Sequence, residues 1–116
     1  MSRKSKAFVR RTNELVECSE RLRRVLVRYE KANSELARRV DGGDAAITAM
    51  DKMRTSLRRR EITETFDELE SARHQVRLAL MDLCIEEGSS RSDVARMLGI
   101  SRQLASRLAI EVEEAS

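Results

Sequence analysis

The sequence contains no proline and no tryptophan, and its aromatic residues are limited to Phe8, Tyr29 and Phe66. Because aromatics make up only 3% of its 116 residues, few side chains are bulky enough to fill a thick globular core. The sequence also has no apolar run long enough to cross a membrane as a helix. Charged residues, in contrast, make up 37% of the chain, which is typical of long helices and coiled coils. The composition therefore predicts an all-α protein that folds along extended apolar seams.

Residue types that support catalysis or metal binding are equally scarce. Cys18 and Cys84 lie at apolar helix positions without the spacing of a metal site, so we interpret them as buried thiols in a reducing cytosol. His74, the single histidine, has no partner for catalysis at a useful spacing, and no glycine-rich phosphate loop is present. The basic N-terminus lacks the apolar segment of a secretory signal. We expect no enzyme activity, no cofactor, no metal, and a cytoplasmic location associated with the nucleoid.

Apolar residues recur every seven positions from Phe8 to Leu36 and predict a first helix of roughly 35 residues. Gly42 and Gly43 end this helix, and Asp44 is the predicted N-cap of the next one. A loop this short joins antiparallel neighbours, so we predict a long antiparallel α-hairpin over residues 1–77 that also forms the dimer. The predicted seam, within one chain or between two, comprises Phe8, Leu15, Leu22, Leu26, Tyr29, Leu36, Leu57, Ile62, Phe66, Leu69 and Val76.

The position of the glycine turn also predicts which residues of the hairpin face each other. An acidic segment from Glu61 to Glu70 is expected beside Arg21, Arg23 and Arg24. The apolar spacing slips to five residues between Leu57 and Ile62, which indicates either a kink or a local change of supercoil at 58–61. The apolar pairs expected to face each other are Leu36 and Met50, Tyr29 and Leu57, Leu22 and Ile62, Leu15 and Leu69, and Phe8 and Val76.

Two short stretches of helical apolar spacing flank Gly99 and predict a helix-turn-helix unit within residues 78–116. Gly99 stands where a helix end needs a residue with positive φ, and Ser101 can cap the following helix. Ser89 or Ser90 is the expected cap of the preceding helix. The predicted inner faces consist of Val94, Ala95, Leu98, Ile100, Leu104, Ala105 and Leu108.

Residues 88–109, GSSRSDVARMLGISRQLASRLA, resemble the helix-turn-helix of bacterial DNA-binding proteins, in the style of sigma region 4 and of the C-terminal module of serine recombinases. The resemblance covers about 25 residues of a motif shared by a whole superfamily. Ala105 departs from it, because a larger branched residue is usual there. The resemblance implies that the second helix enters the major groove, without implying recombinase or sigma activity. The residues that carry it are Val94, Ala95, Leu98, Gly99, Ile100 and Leu108.

Three groups of polar residues are expected to contact double-stranded DNA. The second helix presents side chains that can bind base edges, the first helix presents phosphate-binding arginines, and a basic N-terminal arm returns along the hairpin to the same end. For the third group, the N-terminal arm, the alternative is that it has no role in binding DNA. The groups are Ser101, Arg102, Gln103, Ser106 and Arg107; Arg91 and Arg96; and Arg3, Lys4 and Lys6, followed by Arg10 and Arg11.

The net charge of +3 permits binding to nucleic acid without demonstrating it, so the function depends on where the charge lies. We expect a DNA-binding transcriptional regulator or nucleoid-type protein that acts as a homodimer. The alternative is a coiled-coil adaptor whose helical head binds another protein, such as the transcription machinery. The acidic residues between Glu111 and Glu114 favour a protein partner, through the coiled coil or this tail, whereas the outward arginines favour DNA.

Overall fold

A computed structural model describes residues 2–115, and over this range it contains helices and no strands. The all-α prediction is therefore confirmed. None of the helices in this range is both long and apolar enough to span a membrane. The helices are α1 (Arg3–Asp41), α2 (Ala46–Lys52), α3 (Thr55–Glu86), α4 (Arg91–Leu98) and α5 (Arg102–Ala115).

The chain divides into two compact units. One, which we call the hairpin unit, comprises Glu17–Glu70, and the other, the terminal unit, combines the residues up to Val16 with those from Ser71 onward. This division differs from the predicted boundary between residues 77 and 78. The physical reason is that the first turns of α1 contact the end of α3 rather than belonging to the hairpin alone: Lys4 Nζ lies 2.9 Å from the carboxylate of Asp82.

In the hairpin unit, α1 and α3 run antiparallel around a small apolar cluster. Leu22, Val25 and Ile62 are buried, and Leu26 and Leu69 pack against them, so the predicted contact between Leu22 and Ile62 is confirmed. Ion pairs lie along one flank of this cluster. Arg21 lies 3.5 Å from Glu68, as expected for the acidic segment. Arg28, which was not among the arginines expected there, donates two hydrogen bonds to the Glu61 carboxylate, whereas Arg23 and Arg24 are exposed.

The second predicted helix is interrupted earlier than the sequence pattern indicated. Arg54 adopts a positive φ of 52° between α2 and α3. The sequence pattern left a kink or a change of supercoil open at residues 58–61, and α3 is one uninterrupted helix through them. The predicted N-cap is also wrong, because Ala45 occupies that position and offers no side-chain hydrogen bond. Asp44 instead extends the glycine turn, where its backbone N–H donates to the carbonyl of Arg39 at 3.0 Å.

Several residues of the predicted seam remain exposed within one chain. Tyr29 is 37% exposed, Leu57 40% and Phe66 47%, whereas Leu22 and Ile62 are each 8% exposed. Within one chain, therefore, Tyr29 and Phe66 are not core residues, and the seam as predicted within one chain or between two is only partly covered. A pair of helices covers only a narrow stripe of each partner, so residues at the edge of the stripe stay in solvent. Leu36 lines a small cavity with Met53, whereas its expected partner Met50 is 37% exposed. The remaining residues of the predicted seam are partly buried: Phe8, Leu15, Leu26, Leu69 and Val76.

The terminal unit has a denser core in which α4 and α5 pack against the end of α3. Met81 of α3 and Leu108 of α5 are its largest fully buried side chains. Three alanines, Ala95, Ala105 and Ala109, lie beside them and allow the helix backbones to approach closely. Ala105 is fully buried, which explains why this chain has no larger residue at the position where it departs from the helix-turn-helix pattern.

The turn between α4 and α5 has the local geometry that the sequence predicts. Gly99 ends α4 with a φ of 69° and a ψ of 32°, in the left-handed region. The side chain of Ser90 accepts the amide N–H of Asp93 at 3.1 Å, and that of Ser101 accepts the amide N–H of Leu104 at 3.0 Å. Both serine caps predicted for this segment are thus confirmed, and the alternative cap, Ser89, is not used.

We expect Gly99→Ala to destabilise the terminal unit by about 1 kcal/mol, because a residue with a Cβ loses about 1–2 kcal/mol in the left-handed conformation. The space around Gly99 is open, so the effect comes from φ alone. Chemical denaturation followed by circular dichroism measures it. Gly42, whose φ is not positive, provides the matched control: Gly42→Ala should be neutral or slightly stabilising. Equal effects of the two substitutions would contradict this explanation.

Candidate nucleic-acid interface

The outward face of α5 brings together the residues predicted to contact base edges. Ala105, Leu108 and Ala109 are buried on the opposite face of the helix, which fixes the rotation of α5 about its axis. Four side chains then line one shallow concave surface: Arg102, Gln103 and Arg107 are exposed and Ser106 is partly buried. Ser101 lies at the start of the helix, where its hydroxyl is engaged as the N-cap.

The two arginines on this surface have no carboxylate partner. Neither Arg102 nor Arg107 forms an ion pair with any residue between positions 2 and 115. A ligand in solvent therefore meets no competing carboxylate for the N–H donors of either guanidinium. The face of α5 is cationic and rich in donors, and it could bind an anionic or acceptor-rich surface.

The two arginines predicted to contact phosphates from α4 are both paired with carboxylates. Arg91 is the first residue of α4, and its Nη2 lies 2.9 Å from a carboxylate oxygen of Glu113 near the end of α5. Arg96, in the last turn of α4, lies 3.3 Å from Asp93. All four side chains are largely exposed, so solvent screens both pairs and a competing anion can reach them.

The basic N-terminal arm is helical from Arg3 onward, as the first turns of α1. Lys4 lies 2.9 Å from Asp82 and 3.9 Å from Glu86, and its hydrogen bond to Asp82 raises the pKa of its amine. Lys4 is therefore a contact between α1 and α3 rather than an open phosphate ligand. The cations that line the open surface of these first turns are Arg3, Lys6 and Arg10, whereas Arg11 pairs with Glu14 at 3.2 Å.

Sequence reasoning missed the roles of the acidic residues at the end of α5. Glu111 contacts His74 of α3 at 3.0 Å, and Glu113 contacts Arg91 of α4. Both contacts require α5 to remain helical as far as Ala115, which places these carboxylates against the terminal unit. The signal available in the sequence was the spacing of four residues from Leu108 to Val112, which continues the inner face of α5.

The thiols and the histidine give no indication of a catalytic or metal centre. Among residues 2–115, no group of three or more His, Cys, Asp or Glu side chains could hold a metal ion. Cys18 is buried, and its Sγ accepts a hydrogen bond from Arg21 at 3.0 Å. Burial raises the pKa of the Cys84 thiol, and the charge of Glu87 acts in the same direction. A protonated thiol is a weak nucleophile, so Cys84 resembles a small apolar residue of the core.

The surface that sequence and structure single out together is therefore the face of α5, with the paired arginines of α4 beside it in the same unit. The basic first turns of α1 belong to that unit as well. Comparisons of the chain with protein-family models, with curated proteins and with solved structures gave no significant match.

Proposed function

We propose that the protein binds double-stranded DNA and that α5 is inserted into the major groove. The observation that supports this most directly is the α5 surface, where two unpaired arginines and a glutamine are exposed on a helix whose other side is buried. A helix held in this way can approach a groove as a rigid body. In this proposal α4, the glycine turn and α5 form a helix-turn-helix.

The side chains on α5 are of the types that recognise base edges. An arginine can donate two hydrogen bonds to the acceptors of guanine, and a glutamine can pair with the acceptor and donor of adenine. Arg102 and Gln103 lie in the first turn of α5, the part of a recognition helix that lies deepest in the groove. Ser106 and Arg107 lie one turn further and can reach a base or a phosphate.

Contacts to the phosphate backbone would orient the helix without reading sequence. In the proposed complex Arg91 and Arg96 of α4 contact phosphates, and Arg3 and Lys6 of α1 add charge from the same unit. Counterion release at such contacts favours binding at low salt. The function we infer is that of a transcriptional regulator or nucleoid-type protein, which acts by binding rather than by catalysis and resides in the cytoplasm.

Titration of a fluorescent random-sequence duplex with the full chain at low salt tests the proposal. Non-specific DNA binding should appear at protein concentrations of about 10⁻⁶–10⁻⁴ M and weaken steeply as salt is added. In vitro selection from a random pool should then recover a preferred sequence. If the duplex is not bound even at about 10⁻⁴ M, the proposal is wrong and a protein-binding adaptor becomes the better interpretation.

We infer in addition that the hairpin unit forms a homodimer, because its two flanks differ in chemistry. Helical spacing places Leu26 and Phe66 on the flank opposite the Arg21–Glu68 and Arg28–Glu61 pairs. Phe66 is 47% exposed there. A second copy that covers this flank would bury the phenylalanine, and a dimer would supply two recognition helices to one DNA site.

Phe66→Ser should raise the dissociation constant of this dimer at least roughly tenfold, because burial of a phenylalanine contributes about 1.5–3 kcal/mol. Sedimentation equilibrium over a range of protein concentrations measures the change. Val27 provides the control, since it is 48% exposed but lies on the side of α1 that faces away from the hairpin seam. If Val27→Ser weakens the dimer as much as Phe66→Ser, the assigned flank is wrong; a monomeric wild-type protein would refute the dimer itself.

A further inference from the structure

We propose that Glu113 limits the affinity of the protein for DNA by holding the guanidinium of Arg91 in an intramolecular ion pair. The inference rests on the proposed function and concerns the regulation of that same site. In this arrangement the carboxylate of Glu113 occupies the position on Arg91 that a DNA phosphate would take. The end of α5 therefore competes with the ligand that the start of α5 recognises.

The geometry supports a specific contact rather than a general excess of acidic residues. The Nη2 of Arg91 donates to Oε1 of Glu113 at 2.9 Å, within the range of a charge-assisted hydrogen bond. The two residues are 22 positions apart in sequence and meet only because α4 and α5 pack against each other. The adjacent Glu114 is exposed and forms no ion pair with any other described residue. Of these two neighbouring carboxylates, Glu113 is therefore the one that holds an arginine.

The exposure of the pair makes the exchange with phosphate feasible. The side chains of Arg91 and Glu113 are 46% and 64% exposed, so each remains in contact with water and dissolved ions. Exposed ion pairs contribute about 0.2–1 kcal/mol, which is small enough for a phosphate to displace the carboxylate. DNA binding must nevertheless break the contact or share the guanidinium with it, and either event reduces the affinity by a modest factor.

Glu113→Gln, with Glu114→Gln as the matched control, tests the inference. Both substitutions remove one negative charge from the last turn of α5, so they change the net charge of the protein equally. We expect Glu113→Gln to bind a random-sequence duplex roughly twofold to fivefold more tightly than Glu114→Gln at the same salt concentration.

Repeating both glutamine substitutions in the Arg91→Ala protein shows whether Glu113 acts through Arg91. In that background the two glutamine substitutions should have equal effects on affinity, because no guanidinium remains to be released. Thermal unfolding of each variant separates a change in affinity from a change in folding. If Glu113→Gln and Glu114→Gln bind the duplex equally in the presence of Arg91, the inference is wrong although the proposed function stands. If the wild-type chain and every variant fail to bind DNA, the proposed function fails and the inference with it.

Discussion

Replacing Arg102 and Arg107 by alanine together is expected to reduce affinity for the preferred DNA sequence at least about 30-fold. Each arginine that contacts a base or phosphate contributes about 1–3 kcal/mol, and neither has another partner that would compensate for its loss. Fluorescence anisotropy at a fixed salt concentration measures the change.

Gln103→Ala should instead leave non-specific binding nearly unchanged and relax the preference at one position of the selected sequence.

The control for this experiment is the double variant Arg23→Ala with Arg24→Ala. These arginines are exposed on α1 in the hairpin unit, so their removal lowers the net charge equally without altering the face of α5. We expect this control to weaken binding only severalfold and evenly across sequences. If both double variants lose the same affinity and neither changes sequence preference, α5 is not a recognition helix and only non-specific electrostatic binding remains.

Met81→Ala is expected to destabilise the terminal unit by about 2–5 kcal/mol, the largest effect of any single substitution considered for stability. Met81 is fully buried where α3 meets α4 and α5, and truncation leaves a cavity that three neighbouring helices cannot easily close. Because proteins of this size are stabilised by only about 5–15 kcal/mol, the variant should lose a large part of its folding free energy. Urea denaturation followed by circular dichroism measures the shift of the midpoint.

Met97→Ala is the matched control for this substitution, because Met97 is 80% exposed on α4. The same chemical change there should alter stability by less than about 0.5 kcal/mol. The pair therefore isolates burial from the intrinsic difference between methionine and alanine in a helix. Equal destabilisation by both substitutions would show that the packing of α3 against α4 and α5 does not determine the stability of the terminal unit.

The features that sequence analysis predicted correctly are those governed by residues a few positions apart. The left-handed Gly99, the caps at Ser90 and Ser101, and the inner face of α5 each depend on contacts within one or two helical turns. The same local reasoning correctly identified which side chains of α5 point outward. The break between α2 and α3 escaped it, because Arg54 adopts a positive φ without glycine or asparagine to indicate it.

The pairing of distant charges was predicted only in part. The acidic stretch of α3 was expected beside α1, and Arg21 does meet Glu68, but the contact of Lys4 with Asp82 was not foreseen. Nor was the contact between Arg91 and Glu113. An ion pair forms where two backbones bring the side chains within about 4 Å, so a shift of one residue in register changes the partner. Sequence spacing within a single helix does not contain that information.

By itself, the sequence determined that the chain is helical, where its glycine turns lie, and which residues of α5 can face a ligand. These properties follow from backbone preferences and from the 3.6-residue period of the helix, both of which act over short stretches. Only the tertiary structure decided that Lys4 pairs with Asp82, that Phe66 remains exposed, and that Glu113 holds Arg91. Those outcomes depend on how helices far apart in sequence pack against each other, because packing sets which side chains are covered and which charges meet.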